Sequence, residues 1–187
     1  MGCVSMIEVR FHGRGGQGAV TSAELTALAA IAQGKYGQAF PSFGPERRGA
    51  PVMAFVRVGE EPIRSREKIY EPDVVVVLDP SLPEIVDVQS GLKENGTVVL
   101  NTRKSIDEVR REHGFNCRLA VVDAMSIAMD VLKVPITNTT MLGALIKASG
   151  ILPLEALHEP IKHRFGPLGD KNFEACRRAF EETVVEE

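Results

Sequence analysis

The sequence contains no apolar run long enough to cross a bilayer. Its longest uninterrupted aliphatic stretches, Val74–Leu78 and Ala27–Ala32, fall far short of the roughly 20 residues that a spanning helix requires, which argues against an integral membrane protein. Cysteine is also sparse. Cys3, Cys117 and Cys176 lie far apart with no Cys-x-x-Cys pair, so local spacing offers neither a zinc site nor an iron–sulfur cluster. An odd count without a signal peptide points to a reducing, cytoplasmic setting. A strong charge of either sign is missing too: 22 basic against 25 acidic residues leave −3, too mild for a dedicated nucleic-acid binder. The motifs Gly-x-Ser-x-Gly, His-Glu-x-x-His and the P-loop do not occur. Hydrolase, zincin and NTPase chemistry therefore lack their core residues, and no catalytic or metal-binding residue is assigned.

What is present describes one globular domain. Neither a repeat nor a Ser/Gly-rich linker divides residues 1–187. Residues 1–5 read as a short extension, with Met6 as an alternative start; Met1-Gly2-Cys3 resembles an acylation signal, but Met6 stands where Ser or Thr is expected. Charge is uneven, +2 over residues 1–60 and −5 over the rest, so an anionic ligand is expected near the N-terminal third.

Met6–Phe11 alternates as a strand should and runs into His12-Gly13-Arg14-Gly15-Gly16-Gln17-Gly18, after which Ala19–Gln33 reads as a packed helix ended by Gly34. Residues 35–50 are rich in glycine, proline and charge and read as a loop. Pro51–Val58 reads as a strand turning at Gly59-Glu60-Glu61-Pro62 and returning through Ile63–Ser65. Asp73–Asp79 is a β-branched run suited to a parallel strand covered on both faces. A helix over Leu82–Ser90, a strand at Thr97–Asn101, a helix at Ser105–His113 and a strand at Arg118–Asp123 continue a βαβ alternation. Four helical segments follow: Ala124–Leu132, Asn138–Ser149, Pro153–His163 and Asp170–Val185. The expected fold is a Rossmann-like, doubly wound α/β domain, its sheet mostly parallel, with a helical C-terminal part.

Two constellations carry chemistry. Gly13-Arg14-Gly15-Gly16-Gln17-Gly18 satisfies Gly-x-Gly-x-x-Gly between a strand and a helix, where the backbone can approach a phosphate and helix N–H groups point at an anion. Arg14 adds a guanidinium. A plain tight turn satisfies the same spacing. A dinucleotide would also need an acid about 20 positions on; Lys35-Tyr36-Gly37-Gln38-Ala39-Phe40 stands there, which argues against NAD. The second is Phe40–Pro51, a proline- and glycine-bounded loop holding Glu46, Arg47 and Arg48. It suits an anion, a partner chain or plain solvent. His12 reads as a satisfied or solvated histidine, and His113, His158 and His163 as surface residues. Asn138–Ala144 reads as an N-capped helix start with Gly143 allowing close packing. Thr21, Ser22 and Ser42 have no identifiable base beside them.

Phe11–Val20, QAFPSFGPERRGAP (38–51), YEPDVVVVLDPS (70–81) and PITNTTMLG (135–143), in this order and spacing, resemble the gamma subunit of the 2-oxoacid:ferredoxin oxidoreductases, pyruvate synthase in particular. The resemblance implies a complex that converts a 2-oxoacid, coenzyme A and oxidised ferredoxin to an acyl-CoA, carbon dioxide and reduced ferredoxin. It implies thiamine diphosphate and iron–sulfur clusters on alpha, beta and delta-type partner subunits, with no cofactor held by this chain alone. The corresponding expectation is that Gly13–Gly18 with Glu46, Arg47 and Arg48 contributes to the coenzyme A environment and to closing the active site. A purely structural assembly subunit, and related 2-oxoisovalerate, 2-oxoglutarate or indolepyruvate enzymes, stay open alternatives.

Overall fold

Why the chain forms a two-faced sheet is visible in its valines. β4 (Val74–Val77), β5 (Thr97–Asn101) and β6 (Arg118–Val122) are short and almost wholly buried, as parallel strands covered on both faces must be. The computed structural model describes residues 6–42 and 48–186. β1 (Ile7–Arg14), β2 (Tyr36–Pro41), β3 (Pro51–Gly59) and a short β7 (Val184–Val185) complete a seven-stranded sheet of order β2-β3-β1-β4-β5-β6-β7. β1, β4, β5 and β6 pair in parallel, whereas β3 runs antiparallel to β1 and β2, and β7 antiparallel to β6. The expected Rossmann-like sheet is present.

α1 (Ala19–Ala32), α3 (Ala124–Val131), α4 (Asn138–Ser149), α5 (His158–Phe165) and α6 (Gly169–Glu182) pack on one face over Val9, Phe11, Val56, Val76 and Val99. The opposite face is covered by α2 (Ile106–His113) and the coil around Leu82 and Val88. α2 starts in a reciprocal capping box between Ser105 and Glu108.

Five expectations need correction. Residues 36–41 form an edge strand, despite Gly37 and Pro41, because they pair with β3 from Tyr36 opposite Gly59 to Pro41 opposite Ala54. The hairpin partner of β3 therefore precedes it, and Ile63–Ser65 is no strand. The Leu82–Ser90 helix is only a 3-10 turn at Leu82–Glu84 containing Pro83. The last helix stops at Glu182, and Val184–Val185 joins β6. Asn138 is not a cap either: Thr137 holds that position without a side-chain hydrogen bond.

Coil over a sheet face exposes carbonyls that need donors, and two buried arginines supply them. Arg57, paired with Glu8 across the β1–β3 register, donates to Glu8 Oε1 at 2.8 Å, Gln38 Oε1 at 3.2 Å and the Glu67 carbonyl at 2.8 Å. Arg10 donates to the carbonyls of Val88 and Ser90 at 3.1 and 2.6 Å.

Lys133 follows α3 at φ 61°, a left-handed conformation that a side chain opposes by about 1 kcal/mol. Glycine is the usual occupant just past a helix. Lys133→Gly is therefore expected to stabilise the chain by about 0.5–1 kcal/mol, read as a higher urea midpoint with unchanged slope.

Candidate functional site

The chain leaves β1 toward β3 and β2 and resumes with β4 on the other side of β1. Such a reversal opens a crevice at the carboxyl ends of the two parallel strands, where α/β folds bind ligands. The glycine segment sits in that crevice. β1 is longer than the sequence suggests, taking in Gly13 and Arg14, so the turn itself is Gly15–Gly18. Gly16 and Gly18 have φ of 94° and 83°, which glycine alone adopts freely. Gly18 has a second reason: a Cβ there would lie 2.5 Å from Asn138 Nδ2 at the start of α4.

Gly18 opens α1 with no side-chain cap and no acid in the first turn. Among the described residues, the N–H groups of Gly16, Gly18, Ala19 and Val20 have no acceptor. A cavity of about 310 Å³ lies beside them, lined by Arg14, Gly16, Ala19, Thr21 and Val52 among others. An uncapped helix start carries a partial positive charge and free donors, so this arrangement can hold an oxyanion. A second cavity, about 110 Å³, is lined by Gly16 and Gln17 together with Asp79 and Pro135–Thr137.

Arg14 is committed within the chain. Its guanidinium donates to Ser81 Oγ at 2.8 Å and the Gly49 carbonyl at 3.1 Å, with Nε 3.3 Å from Asp79 Oδ2. Gln17 accepts from the Arg14 N–H at 2.7 Å and donates to Asp79 Oδ2 at 2.7 Å. Burial pushes the Asp79 carboxyl up, but hydrogen bonds from the Ser81 hydroxyl and N–H and from Gln17, with the Arg14 charge, hold it below the usual carboxylate range. Sequence reasoning did not name Asp79 and Ser81 as site residues, placing Asp79 at the end of a β-branched run and Ser81 just before an expected helix.

Arg48 is exposed, and Gly49 and Ala50 bond to Gly15 at 3.3 and 2.9 Å, so the C-terminal stem of the cationic loop abuts the glycine turn. Glu46 and Arg47 lie outside the described residues. His12 is a satisfied core histidine, its Nε2 accepting from Arg10 Nε at 3.0 Å. His113 rests on Phe115, while His158 rests on Phe173 and meets Asp170. Thr21 Oγ1 accepts from Arg164, and Ser22 Oγ donates to the Asn138 carbonyl. Among the described residues no His, Cys, Asp or Glu group of three is placed to hold a metal, and no helix is long and apolar enough to cross a membrane.

Residues 8–182 match the family model described as pyruvate ferredoxin/flavodoxin oxidoreductase. The chain is 59% identical to the pyruvate/ketoisovalerate oxidoreductases common subunit gamma of Thermococcus litoralis, covering 97% of this chain and all of that one. A crystal structure of pyruvate oxidoreductase subunit PORC from Thermotoga maritima superposes with a TM-score of 0.86 at 44% identity, over 97% of this chain and 99% of that one. The 2-oxoglutarate:ferredoxin oxidoreductase of Magnetococcus marinus, solved with 2-oxoglutarate, coenzyme A and succinyl-CoA, shares the fold at 21% identity and a TM-score of 0.76, over 94% of this chain and 30% of that one. By its family match and its relatives, the chain belongs to the pyruvate ferredoxin/flavodoxin oxidoreductase family, as a gamma-type subunit.

Proposed function

We propose that the subunit serves a pyruvate:ferredoxin oxidoreductase, or one shared with a 2-oxoisovalerate enzyme, and that it binds the phosphates of coenzyme A and helps close the active site. The observation that carries this reading is the uncapped start of α1 beside a cavity, with the stem of an arginine loop hydrogen-bonded to the same turn. Coenzyme A offers a pyrophosphate and a 3′-phosphate, which suit helix N–H groups and guanidinium groups respectively. Arg47 and Arg48 are then the cations that meet phosphate, because Arg14 is occupied. Thiamine diphosphate, the iron–sulfur clusters and the ferredoxin contact belong to the alpha, beta and delta-type partners in this reading, and the assembly is cytoplasmic.

Replacing Arg47 and Arg48 together by alanine in the assembled enzyme is expected to raise KM for coenzyme A about tenfold or more, since each lost charge-assisted hydrogen bond is worth roughly 1.5–3 kcal/mol. An unchanged KM in an intact complex reassigns the loop to subunit contact. Anaerobic purification from the native source tests the wider assignment: larger polypeptides, iron and thiamine diphosphate should accompany the chain, with coenzyme A-dependent pyruvate oxidation.

A further inference from the structure

A glycine turn that must present backbone donors needs something to fix its shape, since glycine itself supplies none. Here one carboxylate gathers the surrounding contacts. Asp79 Oδ2 takes the Gln17 amide at 2.7 Å and lies 3.3 Å from Arg14 Nε. Its Oδ1 accepts from the Ser81 N–H at 2.9 Å and the Ser81 hydroxyl at 2.6 Å. Gln17 passes the hold back into the turn, because its Oε1 accepts the Arg14 N–H while its own N–H donates to the Arg14 carbonyl at 3.0 Å. The amide orientation follows: only an oxygen can face a backbone N–H, so the nitrogen faces Asp79. Arg14 extends the same hold to the Gly49 carbonyl on the cationic loop's stem.

Asp79 is itself anchored. Leu78, just before it, donates its N–H to the His12 carbonyl at 2.8 Å and accepts from Asn101 Nδ2 at 2.9 Å. The carboxylate thus projects from the fixed end of a central strand onto the turn of its neighbour. Its charge is matched by Arg14, so it does not repel an anion at the far side of the turn.

We propose that Asp79 is a positioning residue for coenzyme A: through Gln17 and Arg14 it sets the conformation in which the turn's free N–H groups and the loop's stem stand together. This rests on the coenzyme A reading of the same turn. It places Arg14 with the supporting groups, away from the phosphates.

The test is Asp79→Asn in the enzyme assembled with its partner subunits, which removes the ion pair while keeping the side chain's shape. Hydrogen–deuterium exchange over residues 13–21 should accelerate, because the N–H groups of Arg14, Gly15 and Gln17 lose their fixed acceptors. KM for coenzyme A should rise about tenfold, with kcat at saturating coenzyme A within about twofold, the pattern of lost ground-state binding. If exchange over residues 13–21 is unchanged, the proposal is overturned whatever KM does. Faster exchange with an unchanged KM leaves Asp79 holding the turn but overturns the coenzyme A reading, and with it the positioning role. Should Asp79→Asn fail to assemble, Gln17→Met, which removes the donor to Asp79 together with the acceptor of the Arg14 N–H, is judged by KM for coenzyme A and by exchange over residues 15–21, where Arg14 does not contribute.

Discussion

Acidification from pH 7 to 4.5 is expected to destabilise the subunit by about 2–3 kcal/mol through His12 alone, the slope approaching roughly 1.4 kcal/mol per pH unit below pH 6. The ring is 4% exposed, and its Nε2 accepts a hydrogen bond from Arg10, a group that always carries its proton. Nε2 is therefore bare and the proton sits on Nδ1. Burial, then the Arg10 charge, hold the imidazole down to about 3 against an ordinary 6.5. The unfolded chain consequently takes up a proton between these two values that the native chain refuses. Stability is unaffected by this residue above about pH 6.5, falls as pH drops below it, and levels off only near pH 3. His12→Gln keeps an acceptor for Arg10 and does not titrate. Urea unfolding at pH 7 and 4.5 should show the original chain losing about 2–3 kcal/mol more than the variant, because the shared carboxylates cancel. Equal losses would mean that His12 gains a proton in the native state without penalty.

His12 also shows where sequence reading succeeds and stops. A histidine beside a glycine turn was expected to be satisfied or solvated, and it is satisfied; its partner is two residues away on the same strand, within local reach. The parallel strands were legible for a similar reason, since Val74–Val77 and Thr97–Asn101 announce burial on both faces through composition alone. β2 was not, because Gly37 serves a tertiary purpose that its local sequence does not disclose. A Cβ on Gly37 would lie 2.5 Å from the Ala27 carbonyl oxygen, so glycine is there to let α1 cross the edge strand. The segment after Leu82 likewise looks helical by its apolar residues, yet its carbonyls are spent on Arg10, 78 and 80 positions upstream. At the site, the glycines are readable because their conformations demand them. Asp79 is not, because its bond to Gln17 spans 62 positions.

Gly143→Ala is expected to lower stability by about 3 kcal/mol, the upper part of the usual range for overpacking, because α4 and α6 meet there backbone to backbone. A Cβ at this position would lie 1.9 Å from the Cys176 carbonyl oxygen and 2.9 Å from the Phe180 nitrogen. Both obstacles are main chain, so no side-chain change at Cys176 or Phe180 relieves the clash; the helices must separate. That motion carries consequences beyond α6. Asn138, five residues before Gly143, already closes against Gly18 at the start of α1, and α4 is buried along most of its length. Gly150→Ala is the control. Gly150 ends the same helix at φ 61° with nothing within 4 Å of a Cβ, so its cost is confined to the left-handed backbone, about 1 kcal/mol. Denaturant unfolding of the two variants should therefore differ by about 2 kcal/mol. Equal losses would show that the α4–α6 contact yields to a methyl group, and that glycine at 143 is not what lets the two backbones touch.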